Sequence, residues 1–228
     1  MNILAVETSG MGTSVALANG SQLLVEHVLE SAGRRHARLL VPAVDQLLKH
    51  QSLASNDIDV VAVSIGPGSF TGLRVGVVFA KIFAWINQTQ LVAVDTLQGL
   101  AQRAAPADSD ITVISDAQRG DVFVNSYRCS TGEEAVQPVA AVRIESLASV
   151  IAALEKQSRH VLTGPGVERF SDRIPDSIET AACDMLAPRA AALLPAAREM
   201  ILENKWSDTD ALEPVYLRRS YAEEKRNT

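Results

Sequence analysis

The chain has 228 residues, 47% hydrophobic and 21% charged, with a formal net charge of -6. These values exclude a disordered chain, allow one domain or two small ones, and leave no broad basic footprint for nucleic acid. Cys129 and Cys183 are the two cysteines, too few for a disulfide framework or a structural zinc site. Met1 leads straight into NILAV with no basic leader, and no apolar run is read as reaching the ~18 residues of a membrane span. A cytoplasmic, reduced protein with no membrane partner is expected.

The strands NILAVE (2–7) and TSVALA (13–18) flank a glycine-bearing turn, and Asn19-Gly20 predicts a tight hairpin into QLLVEHVL. A helix is expected over about 35–49, with Leu40, Val44 and Leu47 on its apolar side and a kink at Pro42. A strand at 58–65, a glycine loop, a helix over about 70–86, a strand at 91–94 and a helix capped by Thr96 complete a first lobe, 1–105. AAPADSD (104–110), small, polar and proline-containing, marks a boundary.

After it the pattern restarts. ITVISDAQRGDVFVNSY resembles NILAVETSGMGTSVAL: an apolar strand, a terminal acid, a short glycine-bearing turn and a second strand. Glu7 in the first copy corresponds to Asp116 in the second. A smaller second lobe, 106–187, adds a helix near 145–157, the strand HVLTG and the turn TGPG (163–166). A helix over about 188–203 and a charged tail form a last segment, 188–228, expected to pack back on the first lobe.

The stretch SIGPGSFTGLRVG (64–76) sits where backbone amides at a helix start can hold a phosphate. Its spacing matches none of the usual motifs. No lysine follows the glycines before Lys81, the third glycine is one residue late for a dinucleotide fingerprint, and Ser69 directly follows Gly68, unlike a nucleophile elbow. A tight strand-to-helix turn with Ser69 or Thr71 as N-cap is the simpler reading. Arg119-Gly120-Asp121 reads as a hairpin turn, and no nucleophile, histidine and acid are arranged locally as a triad.

Two hairpin openings, each with an acid at the first turn, suggest an α/β fold of the actin, Hsp70 and sugar-kinase kind, with duplicated lobes and a reduced second lobe. Within that class ILAVETS, GRRHARLLVPAV, SIGPGSFTGLRVG, SDAQRGDVF and EPVYLRR resemble the bacterial TsaB (YeaZ) family nearly end to end. That resemblance implies a non-catalytic paralogue of TsaD, the subunit that transfers threonylcarbamoyl to adenosine 37 of tRNAs reading ANN codons. TsaD and the ATPase TsaE are the implied protein partners, with TsaC supplying the threonylcarbamoyl-adenylate. tRNA would be contacted mainly through the complex, and the free chain could pair with itself. No catalytic residue, metal or required cofactor is implied, and weak ATP or ADP binding is allowed.

The residues agree with a silent subunit. The catalytic paralogue carries H-x-x-x-H on its first helix, whereas His36 is followed four residues on by Leu40. His27, His50 and His160 have no partner at ligand spacing. In the helix after the glycine loop, Val75, Phe79, Ile82 and Ile86 share one face and Leu73, Val77, Ala80 and Ala84 another. A helix apolar on both sides needs two covers, the sheet and something else. In the family resembled, the second cover is TsaD, whose two matching helices complete a four-helix bundle; the second lobe or the C-terminal helix is the alternative. The partner-binding residues expected are His36, Leu39, Leu40, Ala43, Val44, Leu47, Arg74, Val75, Val78, Phe79 and Ile82. A vestigial nucleotide cleft is expected at Glu7, Thr8, Ser9, Asp116, Gly120, Gly164 and Gly166. The competing readings are a nucleotide-hydrolysing or kinase-like enzyme using Glu7 and Asp116, and a direct RNA binder, which the charge disfavours.

Overall fold

The computed structural model describes residues 1–29, 36–157 and 160–218, and of His36 and Ala37 only the backbone. A first sheet orders β1 (Asn2–Glu7), β2 (Thr13–Asn19), β3 (Gln22–Leu29), β4 (Val60–Ser64) and β5 (Gln90–Val94) as β3-β2-β1-β4-β5. β1 to β3 are antiparallel; β4 and β5 join in parallel. Parallel neighbours need crossovers, and α1 (His36–His50) and α2 (Phe70–Asn87) supply them.

α3 (Thr96–Ala104) leads into the second lobe, with β6 (Ser109–Asp116), β7 (Asp121–Cys129), β8 (Gln137–Pro138), β9 (Arg143–Ser146), α4 (Leu147–Leu154), β10 (His160–Thr163) and α5 (Pro165–Arg169). β6 and β7 are antiparallel, β9 and β8 pair with β7, and β10 runs parallel to β6. The path β9-β7-β6-β10 therefore repeats β3-β2-β1-β4. At the place of a fifth strand there is one parallel bridge, Leu162 to Thr180. There the Leu162 amide donates to the Glu179 carbonyl (2.8 Å) and the Ala181 amide to the Leu162 carbonyl (2.9 Å). The repeat faintly visible in the sequence is thus a repeat of topology, giving the duplicated-lobe α/β fold with the fifth position of the second copy reduced to a bridge.

Side-chain alternation sorts the first sheet into two faces. Leu4, Val6, Leu17, Val61, Val63 and Leu91 meet Leu40, Val44, Leu47, Val77, Ala80 and Phe83 of α1 and α2. Ile3, Ala5, Ala16, Ala18, Ala62 and Val94 face the other way, onto Leu193, Leu194 and Ala197. Alanines on that side let the C-terminal segment come close. It enters as a 3-10 turn over Ala190–Leu193 and continues as α6 (Leu194–Leu202). In the second lobe, α4 and α5 cover one face of the sheet and α3 the other.

Several local expectations need correction. α3 is capped by Asp95, not Thr96: the Asp95 carboxylate accepts from the Leu97 (2.6 Å) and Gln98 (3.3 Å) amides. Burial pushes the Asp95 carboxyl up to about 6. β4 is shorter than read, with a 3-10 turn at Ser55–Asp57 before it. β8 and β9 were not read from the sequence, because strands of two and four residues carry too little alternation to register. α1 runs unbroken through Pro42. Contrary to the sequence reading, α2 has the length and composition of a membrane span, yet it is a layer of the first core.

Candidate functional site

The glycine loop is explained by what lies against it. Ser69 is the N-cap of α2, its Oγ accepting from the Gly72 amide at 3.2 Å. The Ser69 amide donates to the Ser9 carbonyl at 2.7 Å. Thr8 is fully buried, and its hydroxyl donates to the Gly72 carbonyl at 2.8 Å. A Cβ on Gly72 would overlap the Thr8 carbonyl, one on Gly76 the Thr8 hydroxyl, and one on Gly68 would stand 2.7 Å from the Ser9 carbonyl. Gly68 lies in the loop just before the N-cap, and Gly72 and Gly76 stand one turn apart on the same side of α2. With no side chain at these three positions, the β1–β2 turn lies directly on the start of α2. Where a phosphate-binding loop offers amides to a ligand, this loop offers one to its own chain.

Glu7 sits beneath that turn, 2% exposed. Its Oε1 accepts from the Ser9 amide at 2.5 Å, and the buried Ser9 and Ser64 hydroxyls stand beside the same carboxyl. Burial raises the Glu7 carboxyl above its ordinary range, against the opposing pull of the Ser9 and Ser64 groups.

The two hairpin turns do face each other. A cleft of about 1450 Å³ separates them, lined by Ser9–Ser14 of the first turn, Ser115–Arg119 of the second, and the segment Val215–Arg218. Asp116 reaches this cleft, accepting from the Gln118 amide (2.7 Å) with Arg169 at 3.7 Å. Glu7 does not line it. The carboxylate pair matched in sequence is therefore not brought together as one open site, which corrects the expectation of a shared cleft. The turn Gly120 has φ +86° with open space around it. Gly164 and Gly166 are packing glycines: a Cβ on them would stand 2.5 Å and 2.9 Å from the Ile114 carbonyl. Among the described residues no three His, Cys, Asp or Glu side chains gather as a metal site.

The helix residues divide sharply. Leu40, Ala43, Val44 and Leu47 are at most 4% exposed, all turned toward the sheet. They are core, so the expectation that they anchor a partner is overturned: the i, i+3, i+4, i+7 stripe of α1 is its inner face. The His36 side chain lies outside the described residues, and Leu39 is half-buried. On α2, Leu73, Val77, Ala80 and Ala84 are buried as the sheet-facing row. Val75 and Phe79 are half-buried flanks packed on the core, not an outward face.

What is left outward is apolar. Val41 on α1 and Val78, Ile82, Trp85 and Ile86 on α2 are 52% to 76% exposed, on helices that touch each other. Val41, Trp85 and Ile86 were missing from the expected site; Trp85, a tryptophan among small aliphatics, is the residue that could have pointed to it. α6 lies on the opposite face of the sheet and does not cover this patch. Arg74 borders it, its guanidinium 4.1 Å above the Phe70 ring and its Nε donating to the Tyr216 hydroxyl at 3.1 Å.

Comparison with known proteins agrees with this architecture. The family model for TsaD, tRNA N6-adenosine threonylcarbamoyltransferase, matches residues 28–225. The tRNA threonylcarbamoyladenosine biosynthesis protein TsaB of Bacillus subtilis is 31% identical over 99% of this chain and 97% of its own. The TsaB of Escherichia coli is 30% identical over 97% and 96%. A crystal structure from Pseudomonas aeruginosa, described as similar to peptidase YeaZ, superposes with a TM-score of 0.80 at 26% identity, covering 95% of this chain and 99% of that one. With full-length relatives of that name and a transferase-type scaffold whose glycine loop is filled by its own backbone, the chain belongs to the TsaB family of tRNA threonylcarbamoyladenosine biosynthesis proteins.

Proposed function

We propose that this chain is a non-catalytic subunit that docks a TsaD-like transferase through the outer face of α1 and α2. Together with a TsaE-like ATPase it supports threonylcarbamoylation of adenosine 37 in tRNAs reading ANN codons, in the cytoplasm. The observation that carries this reading is the uncovered apolar face formed by Val41, Val78, Ile82, Trp85 and Ile86. Such a contiguous patch is the usual mark of a protein interface, and its aromatic and branched side chains are typical anchors. A partner built on the same fold, as the transferase family model implies, has equivalent helices to offer. A second copy of this chain would compete for the same face.

No cofactor is required in this reading. The inter-lobe cleft leaves room for weak ATP or ADP binding, without turnover. A nucleotide-hydrolysing enzyme would need Glu7 beside a metal-bound phosphate, but Glu7 is closed off under the first turn and holds the Ser9 amide.

The test uses substitutions on the two faces of α2. Val78→Glu and Ile82→Glu should leave the melting temperature near that of the parent chain. They should weaken binding to the TsaD-like subunit by about 30-fold or more, the effect of a ~2 kcal/mol hot spot, and lower tRNA modification by the complete system. Val77→Glu and Ala80→Glu should unfold the chain, because an unpaired charge is buried. Full partner binding by the outer-face variants would overturn the proposal.

A further inference from the structure

The segment from Lys205 to Arg218 does two things that neither the docking face nor the cleft explains. Along the first lobe it is fastened at several points. The Ser207 amide donates to the Leu91 carbonyl (2.8 Å) on the edge of β5. Lys81 of α2 donates to the Asp210 (3.0 Å) and Leu212 (3.1 Å) carbonyls. The Val215 amide donates to the Ile65 carbonyl (2.7 Å), and the Tyr216 ring lies 4.5 Å from that of Phe70. Two residues later the segment crosses to the second lobe. There the Arg218 guanidinium donates to the Ala117 and Gln118 carbonyls and pairs with the Asp121 carboxylate at 2.8 Å.

The turn that Arg218 grips is an unusual one. Gln118, Arg119 and Gly120 have φ of +66°, +59° and +86°, three successive left-handed residues of which only the last is a glycine. Non-glycine residues in this conformation are strained and persist where neighbours over-determine them. The contacts seen here are the turn's own backbone hydrogen bonds, from the Ala117 amide to the Asp121 carbonyl (3.0 Å) and from the Asp121 amide to the Gln118 carbonyl (3.1 Å), together with the Asp116 carboxylate on the Gln118 amide and, from outside the turn, the Arg218 fork. The fork is the sort of planar, multiply bonded contact that fixes geometry as well as adding attraction.

We propose that residues 205–218 form a strap coupling α2 to the β6–β7 turn, with Arg218 as the latch that holds the strained turn and the cleft in the observed shape. Only the last step of the coupling, its response to a partner, rests on the docking reading above. One end of the strap stacks on Phe70 and, through Tyr216, holds Arg74 at the border of the exposed apolar face. A partner that repositions Arg74 or Phe70 therefore pulls on the same segment that grips the turn.

Hydrogen–deuterium exchange on the full chain tests this in three arms. In the chain alone, Arg218→Ala should speed exchange of the amides at 117–121 at least tenfold, with the β1 and β4 amides unchanged, and Arg218→Lys should fall between. Unchanged exchange in Arg218→Ala overturns the latch. Tyr216→Ala removes a ring that stacks on the first lobe, and it should also speed exchange at 117–121; no effect there overturns transmission along the strap. Adding the TsaD-like subunit should alter exchange at the turn in the parent chain but not in Arg218→Ala, both variants still binding. Binding with no change at the turn, or equal change in both, overturns coupling to the partner. Absence of any binding defeats the docking reading and this third step with it, and the first two arms still decide the latch and the strap.

Discussion

The β1–β2 and β6–β7 turns stand at equivalent places in two sheets of matching strand order, and each begins with an acid. Their surroundings are opposite. The first turn is pressed on the start of α2, with Glu7 sealed below it and Thr8 fully buried. The second turn is not pressed on a helix start in this way: the counterpart helix α5 packs below it on Ile114, so the turn lines the cleft, leaves the Asp116 side chain 39% exposed, and is held from outside by Arg218. The difference shows that a topological position does not fix chemistry. What covers the turn decides whether its carboxylate is a buried packing group or a solvent-facing one.

The largest effect should come from the glycines of the first turn. Gly72→Ala places a methyl group into the Thr8 carbonyl, a backbone atom that cannot move aside, and should cost more than about 4 kcal/mol or prevent folding altogether. Gly120→Ala at the second turn meets open space and should cost only about 1 kcal/mol, the strain of a left-handed alanine. Urea unfolding of the two variants side by side measures the contrast; comparable losses would mean that the two turns are not differently packed.

A smaller effect concerns the buried acid. Because the folded-state pKa of Glu7 is raised, the native state binds its proton more tightly than the unfolded chain. Stability from this group is therefore greatest below the ordinary value of 4.5 and falls as pH rises from there through the raised folded value. Glu7→Gln keeps an oxygen for the Ser9 amide and offers an NH₂ toward the neighbouring Ser9 and Ser64 hydroxyls. It should be more stable than the parent at pH 7, with the gain shrinking on acidification towards pH 4. Chemical unfolding at several pH values checks the sign, and a pH-independent difference would show that the Glu7 proton is not linked to folding.

The smallest effect is expected at the exposed member of the pair. Asp116→Ala removes the solvent-facing acceptor of the Gln118 amide and should cost no more than about 1 kcal/mol, leaving tRNA modification by the complete system largely intact. Loss of modification with the fold preserved would reopen the enzyme reading, since Asp116 lines the cleft.

Much of this architecture is legible in the chain itself. The alternation in NILAVE and TSVALA, the Asn19-Gly20 turn, the glycine loop and the restart at ITVISD are local signals, and the strands and helices form where those signals stand. The same residues carry the family resemblance. Tertiary structure alone decided which side of each helix is outward. Periodicity gives the angle between two apolar rows but not their direction, so Leu40, Val44 and Leu47 read equally well as anchor or core until the sheet lies beneath them. It also decided the fate of the paired acids. Glu7 and Asp116 look alike in sequence, and their environments are set by Gly68, Gly72 and Gly76 in one case and by the open cleft and Arg169 in the other. Those partners lie 53 to 69 positions away, a separation at which sequence specifies no contact and only the packed chain does.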